Sequence, residues 1–229
     1  MFAIAFQELK KQIKSIKSIL IILIIFSITM GVASLGEKYK SLIAMGGESN
    51  VYTLGLTMTI LIAGPLFTLT LSHNIINEEI KDRTIRFIAT KTSRLNIVIG
   101  KFLGLTFFWA ICLIISTLLI SFFAHDIYIQ KALICFSFLL YFIGLAILLS
   151  TMISNPIVTN LLGVSFSIII TIIGLWSTFS NNIFLKFFSY ITPYHYFLHE
   201  ENSLMGYIPV LFTIVFVFLS LFIIKRRDL

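Results

Sequence analysis

The sequence predicts an all-α integral membrane protein, with six transmembrane helices preceded by an interfacial amphipathic helix. Of its 229 residues, 58% are hydrophobic and 12% are charged, against about 25% charged for an ordinary soluble domain. The charges are also bunched, which leaves five uncharged stretches, at 18–36, 49–77, 102–125, 132–185 and 202–224. A water-soluble globular protein is therefore excluded, and we expect residues 1–229 to form a single membrane domain.

The uncharged stretches set the number of spans. A helix needs about 20 mostly apolar residues to cross a bilayer, so four stretches hold one span each and the longest holds two. Ser154-Asn155-Pro156 divides the longest stretch, because proline removes a backbone donor and disfavours helical geometry in the residue before it. Alternating segments typical of a membrane barrel are lacking. The predicted spans are 18–36, 52–76, 102–124, 132–153, 157–179 and 207–224.

Six spans place both termini on the same side of the membrane, and the positive charges predict which side this is. On the side of the termini lie 13 of the 17 Lys and Arg residues, and short cytoplasmic loops are rich in these residues. We therefore expect both termini to be cytoplasmic. This asymmetry and attraction to anionic lipid explain the net charge of +7, so a nucleic-acid partner is not expected.

Residues 1–17 precede the first span and have the spacing of an amphipathic helix. Five apolar residues recur three and four positions apart, which places them on one helix face. We expect this helix to lie in the inner membrane interface; an ordinary cytoplasmic extension of the first span is the alternative. The apolar residues are Phe2, Phe6, Leu9, Ile13 and Ile16.

The long loop between the second and third spans, residues 78–95, mixes charges of both signs with apolar residues. This composition suits a short amphipathic helix that presents apolar anchors and ion-pair partners to another protein. A solvated loop has the same composition, so both interpretations stay open at this point. The candidate contact residues are Glu78, Glu79, Arg83, Thr84, Arg86, Phe87 and Arg94.

The order of residues in and after this loop resembles the first cytoplasmic loop of permease subunits of type-2 export ABC transporters. In that family an acidic residue precedes a Gly-Thr pair, an Arg and a Gly-Lys pair. The chain departs from the pattern at Arg83, where the family has glycine, and it lacks a proline near Thr90. The ending at 222–229 also resembles that of the family. The residues that carry the loop resemblance are Glu79, Thr84, Arg94 and Gly100-Lys101.

The resemblance implies a half-transporter in the cytoplasmic membrane of a bacterium. Two permease chains, identical or different, would pair, and each would receive a cytoplasmic ABC ATPase against its N-terminal helix and its 78–95 segment. The chain itself has no phosphate-binding loop, because Gly100-Lys101 is preceded by Leu95 at the required glycine position and followed by Phe102. We expect no enzymatic activity and no cofactor on this chain, with ATP and Mg bound by the partner ATPase.

Two spans carry stripes of small and polar residues. The resemblance assigns these spans to a translocation path at the interface of the two permease chains. Close helix packing uses the same residue types and is the alternative interpretation. The candidate path residues are Thr53, Thr57, Thr68 and Ser72 in the second span, and Asn160, Ser167 and Thr171 in the fifth.

The segment 180–206 is dense in aromatic residues, which collect at membrane interfaces. By resemblance it is a short re-entrant gate before the last span. His195 and His199 lie four positions apart, but two histidines without a third placed ligand are more typical of interfacial side chains than of a metal site. We expect no bound metal. The candidate gate residues are Pro193, Tyr194 and His195.

Two other classes of function compete with an exporter. Glu78-Glu79-x-x-x-Arg83 matches a motif of glutamate-type intramembrane CAAX proteases, but the histidine element, His73-x-x-x-Asn77, precedes it instead of following. A proton- or sodium-driven secondary carrier usually has charged residues inside its spans, and these spans have none. Uncharged spans instead suit an amphipathic substrate, such as a peptide or an antibiotic.

Overall fold

The computed structural model describes residues 1–38, 51–72, 75–81, 92–153, 155–180, 182–198 and 204–226, without the side chains of Glu78 and Ile80. Within these ranges the chain is helical and has no strand. The helices are α1 (Phe2–Lys14), α2 (Ile16–Lys38), α3 (Val51–Ser72), α4 (Asn77–Lys81), α5 (Arg94–Ala124), α6 (Ile129–Met152), α7 (Pro156–Phe179), α8 (Ile183–Ile191), α9 (Pro193–Leu198), a 3-10 helix (Met205–Tyr207) and α10 (Pro209–Arg226).

The predicted all-α membrane fold is confirmed. By length and composition, six helical segments can cross a membrane: α2, α3, α5, α6, α7 and Met205–Arg226. Asn155 caps α7 by accepting the Ile157 amide with its side chain, and Pro156 follows at the first helical position, where its missing donor costs nothing. The predicted break between the fourth and fifth spans is therefore a capped helix start.

Several predicted boundaries differ from the structure. Helix α5 begins at Arg94, well before residue 102, because the Ser93 hydroxyl accepts the Asn96 amide at 3.3 Å and caps the helix there. Helix α3 ends at Ser72 and does not reach 76. The predicted helix over 1–17 ends at Lys14, because Ser15 adopts extended backbone before α2 begins.

Helix α6 forms the centre of the bundle and packs against α3, α5 and α10. Its side chains Phe138, Phe142 and Ile143 are fully buried, together with Trp109 of α5. Helix α2 packs against α3 and α5, whereas α7 contacts α3, α8 and α9 and remains largely exposed. Apart from Asn160, the exposed side chains of α7 are apolar, as expected of a helix that faces lipid or another membrane helix.

The two ends of the bundle differ in charge. Helices α1 and α4, the start of α5 and the end of α10 carry most of the described lysines and arginines, and we call this end the basic end. Helices α8 and α9 lie at the opposite end, where α9 packs against α6 and α7. At the basic end, the Ser220 hydroxyl donates to Oγ1 of Thr151 at 3.2 Å and ties α10 to α6.

Candidate functional site

Lys101, near the start of α5, is buried at the basic end with its ammonium group facing three acceptors. Its Nζ lies 2.7 Å from Oε1 of Glu79 on α4 and 3.4 Å from Oε2 of Glu8 on α1. It also donates a hydrogen bond of 2.5 Å to the carbonyl of Ile75. Only 2% of the Lys101 side chain is exposed, and a buried ammonium is tolerated when carboxylates compensate it. We call Glu8, Glu79 and Lys101 the charge cluster.

The charge cluster continues through α1 into α2. Gln12 donates from Nε2 to Oε1 of Glu8 at 3.4 Å, and the Ser18 hydroxyl donates to Oε1 of Gln12 at 3.2 Å. Glu8 and Gln12 are both buried, since residues four apart share one face of a helix. This network of polar contacts therefore joins α1, α2, α4 and α5.

Asn77, at the start of α4, makes a second set of contacts. Its Nδ2 donates to Oγ1 of Thr159 on α7 at 2.6 Å, and the Ser150 hydroxyl of α6 donates to its Oδ1 at 3.4 Å. The amides of Ile76 and Asn77 donate to Oγ of Ser150 at 3.0 and 3.2 Å. Asn77, Ser150 and Thr159 are fully buried. Residues 75–81 are thus held to α6 and α7 by Asn77, and to α1 and α5 by Lys101.

A cavity of about 310 Å³ opens beside the charge cluster, between α1, α4 and α5. Gln7 and Lys11 line it from α1 and Ile97 lines it from α5, together with the three residues of the charge cluster. The cluster is therefore reached from the surface of the basic end, although its own atoms are largely shielded from water.

Two glycines of α5 form the surface against which α1 packs. A Cβ atom on Gly100 would lie 2.9 Å from Cβ of Ile4, and one on Gly104 would lie 2.7 Å from Cβ of Glu8 and 2.8 Å from the Ala5 carbonyl oxygen. Side chains at these positions would hold the two helices apart. The Gly-x-x-x-Gly spacing therefore serves to pack α1 and to bring Glu8 within reach of Lys101.

We expect Gly104→Ala to lift α1 from α5 and to destabilise the protein by about 1 kcal/mol, since overpacking forces helices apart. The measurement is thermal unfolding in detergent, with limited trypsin digestion at the lysines of α1, which should be cut faster. Gly31→Ala is the matched control, because a Cβ there meets nothing within 4 Å. Equal digestion of the two variants would show that α1 does not depend on Gly104 for its packing against α5.

Glu79 and Arg94 are predicted contact residues whose side chains the structure describes. The Glu79 side chain is 24% exposed and turns towards Lys101. Arg94 is partly exposed at the first position of α5. The remaining predicted contacts, namely the side chain of Glu78 and residues Arg83, Thr84, Arg86 and Phe87, lie outside the described residues and stay predictions.

The predicted path residues of α3 are packed inside the chain. Thr53, Thr68 and Ser72 are almost completely buried. Thr68 donates to the Gly64 carbonyl of its own helix at 2.6 Å, and the half-buried Thr57 donates to the Thr53 carbonyl at 3.0 Å. The hydroxyls of Thr57 and Thr68 are thus satisfied by their own helix, whereas the buried Ser72 hydroxyl has no hydrogen-bond partner among the described residues. The role of these residues in a path between two chains stays a prediction.

The predicted path residues of α7 face different surroundings. Ser167 is fully buried and donates to the Val164 carbonyl at 2.7 Å, whereas Asn160 is exposed on the outer surface of α7. Thr171 is half-buried and donates to the Ser167 carbonyl at 2.8 Å. Asn160 therefore presents its amide to whatever covers α7.

The predicted gate residue Tyr194 lies in contact with the predicted path residue Thr171. The Tyr194 hydroxyl donates to Oγ1 of Thr171 at 2.8 Å, and its ring stands edge-on to Phe138 with centroids 5.2 Å apart. The side chain is fully buried, and burial raises the pKa of its phenol, which stays protonated as a donor. Pro193 is buried beside it, while His195 is partly exposed and contacts the ring of Tyr190.

Three residues of the site are not singled out by any pattern in the sequence: Glu8, Ser150 and Thr159. Asn77 is noted there only as part of the His73-x-x-x-Asn77 element of the protease alternative. Glu8 counts as one more polar residue of an amphipathic helix until its partner on α5 is known. One signal was available, because Lys101 follows the first glycine of a Gly-x-x-x-Gly packing motif. The helix that packs there was therefore a candidate to supply an acidic partner for Lys101.

A family model described as ABC-2 family transporter protein matches residues 2–229. The match covers every helix described above, including the charge cluster and the Asn77 contacts. No curated protein matches the chain. The family supports a transport component of the membrane over an intramembrane protease or a secondary carrier. On this evidence the chain belongs to the ABC-2 transporter family, as a membrane-spanning permease subunit.

Proposed function

We propose that the chain is the membrane-spanning subunit of an ATP-driven exporter in the cytoplasmic membrane of a bacterium, with both termini in the cytoplasm. It pairs with a second permease chain, and two cytoplasmic ABC ATPases bind ATP and Mg and drive the pair. Residues 1–17 and 78–95 receive the ATPase, and 180–206 form the outer gate. The uncharged spans suit an amphipathic substrate, such as a peptide or an antibiotic.

The attachment of residues 75–81 to four other helices is the observation that best supports this proposal. These residues include the start of the 78–95 segment, which is the proposed ATPase contact. A displacement of that segment acts on α1 and α5 through the buried Lys101 ion pairs, and on α6 and α7 through Asn77. Buried polar groups that are paired with one another resist separation, so the four helices move with the segment.

Helix α7 links this end of the molecule to the proposed gate. Thr159 holds Asn77 near its start and Thr171 accepts the hydrogen bond of Tyr194 further along. At 1.5 Å per residue, these two threonines stand about 18 Å apart along the axis. Helix α7 therefore carries a displacement of α4 to α9 as one continuous element.

The proposal is tested by co-purifying a candidate ATPase with variants of the 78–95 segment. We expect Phe87→Ala and Arg94→Glu to reduce the amount of bound ATPase at least about tenfold, because aromatic and arginine anchors dominate protein interfaces. ATPase activity stimulated by the permease should fall in parallel.

Matched controls lie at the opposite end of the chain. Phe184→Ala makes the same truncation and Lys186→Glu the same reversal of charge at exposed positions of α8, which the proposal places outside the cell. Binding of the ATPase should be unchanged in both. The proposed contact is wrong if Phe87→Ala and Arg94→Glu retain wild-type binding and transport, or if the α8 variants lose as much.

A further inference from the structure

A second and larger cavity lies at the basic end, where α1, α2 and α3 meet. Its volume is about 510 Å³, and it is lined by three lysines and by two hydroxyl-bearing residues. The lysines occupy exposed positions on consecutive turns across the break between α1 and α2. These polar residues are Lys11, Lys14, Ser15, Lys17 and Thr70.

The cavity has an excess of positive charge. Glu8 is the acidic residue in its lining, and the Glu8 carboxylate is engaged by Lys101 and Gln12. The interruption between α1 and α2 at Ser15 also places the start of α2, at Ile16 and Lys17, in the cavity wall. The first amides of a helix lack partners within the helix, and the helix dipole there favours an anion. The start of α2 therefore lies in the same cavity wall as the lysines.

One wall of the cavity is apolar and continues into the surface of the spans. Ile16, Leu71 and Ile75 form this wall, and Gln12 completes the lining. Leu20 lies one turn above Ile16 on the same face of α2 and is 54% exposed, and Leu23 follows at 60%. A ligand of this cavity thus meets cationic groups at one end and an exposed apolar helix face at the other.

We propose that this cavity binds the phosphate-bearing headgroup of an anionic phospholipid, with the acyl chains lying along α2. Lys14 and Lys17 contact the phosphate, the hydroxyls of Ser15 and Thr70 hydrogen-bond the headgroup, and Leu20 and Leu23 contact the chains. An acidic protein surface would match the lysines but leaves the apolar face of α2 uncovered, which favours the lipid. A bound lipid bridges α1 and α2 beside Gln12, and so holds α1 on the charge cluster.

The test is native mass spectrometry of the full chain in a neutral detergent, titrated with dioleoyl phosphatidylglycerol or with dioleoyl phosphatidylcholine. We expect one phosphatidylglycerol per chain to be retained at a concentration at least tenfold below that for phosphatidylcholine. The double variant Lys14→Gln/Lys17→Gln should weaken phosphatidylglycerol binding roughly twenty-five-fold, at about fivefold for each lysine near an anionic lipid. Each single variant should lose about fivefold.

The matched control is Lys10→Gln/Lys225→Gln, which removes the same charge from exposed positions of the basic end that do not line the cavity. It should change binding by less than about threefold. Equal thermal stability of all variants in phosphatidylcholine shows that each is folded.

Four results would overturn the proposal. Unchanged phosphatidylglycerol binding in the cavity variant excludes the site, and equal losses in both double variants indicate diffuse attraction instead. Retention of free glycerol phosphate as tight as that of phosphatidylglycerol assigns the cavity to a soluble phosphate. If the cavity variant no longer co-purifies with the ATPase but still binds phosphatidylglycerol as the wild type does, Lys14 and Lys17 belong to the ATPase contact.

Discussion

Replacing Lys101 by methionine is expected to destabilise the permease by about 3 to 5 kcal/mol, because removing one partner of a buried ion pair leaves the others uncompensated. Glu8 and Glu79 would face each other without their shared cation, and the Ile75 carbonyl would lose its donor. Thermal unfolding of the purified chain in detergent measures the loss. Stimulation of the partner ATPase should be abolished, since α4 is no longer tied to α1 and α5.

The matched control for this variant is Lys81→Met, which removes the same charge from an exposed position of α4. Its effect on stability should stay within about 0.5 kcal/mol. The triple variant Glu8→Gln/Glu79→Gln/Lys101→Met should regain most of the lost stability, because neutral groups replace the buried charges together. Equal stability of the two methionine variants would show that the charge cluster does not contribute as described.

The sequence was sufficient for the spans because uncharged stretches of about 20 residues have few alternatives to a membrane helix. The ends of the helices were harder to predict from the sequence. The start of α5 depends on a cap by Ser93. Serine is also common in loops where it caps no helix, so its presence alone does not predict a helix start. No proline or glycine next to Ser15 indicates that the helix is interrupted there. Hydropathy therefore located the helices, while local hydrogen bonds set their limits.

The candidate site shows a different limit. Glu79 could be predicted from the resemblance, but its partner Lys101 is buried only because Gly100 and Gly104 admit α1. The threonines of α3 and α7 could be found from their spacing, yet the same spacing serves packing within one chain and a path between two. The contact of Thr171 with Tyr194 depends on how residues 182–198 pack against α7, which periodicity along one helix cannot show.

The second large effect is expected from Gly174→Ala on α7. An added Cβ would overlap the ring of Tyr194, reaching 2.7 Å from Cε2. This ring is fully buried and is held by Phe138 on one side and by the hydrogen bond to Thr171 on the other. Because the ring has no free space to enter, we expect a loss of about 2 to 3 kcal/mol, measured by thermal unfolding in detergent, and a displaced α9.

Gly31→Ala on α2 is the control for this variant, since its Cβ meets nothing within 4 Å. Alanine is the better helix former by about 1 kcal/mol, so Gly31→Ala should be neutral or stabilising. Tyr194→Ala removes the ring that Gly174→Ala would strike. In a double-mutant cycle, Gly174→Ala should therefore cost little once Tyr194 is alanine, with a coupling energy of about 2 kcal/mol. Additive losses would mean that α9 does not rest on Gly174, and the link from α7 to the proposed gate would be lost with it.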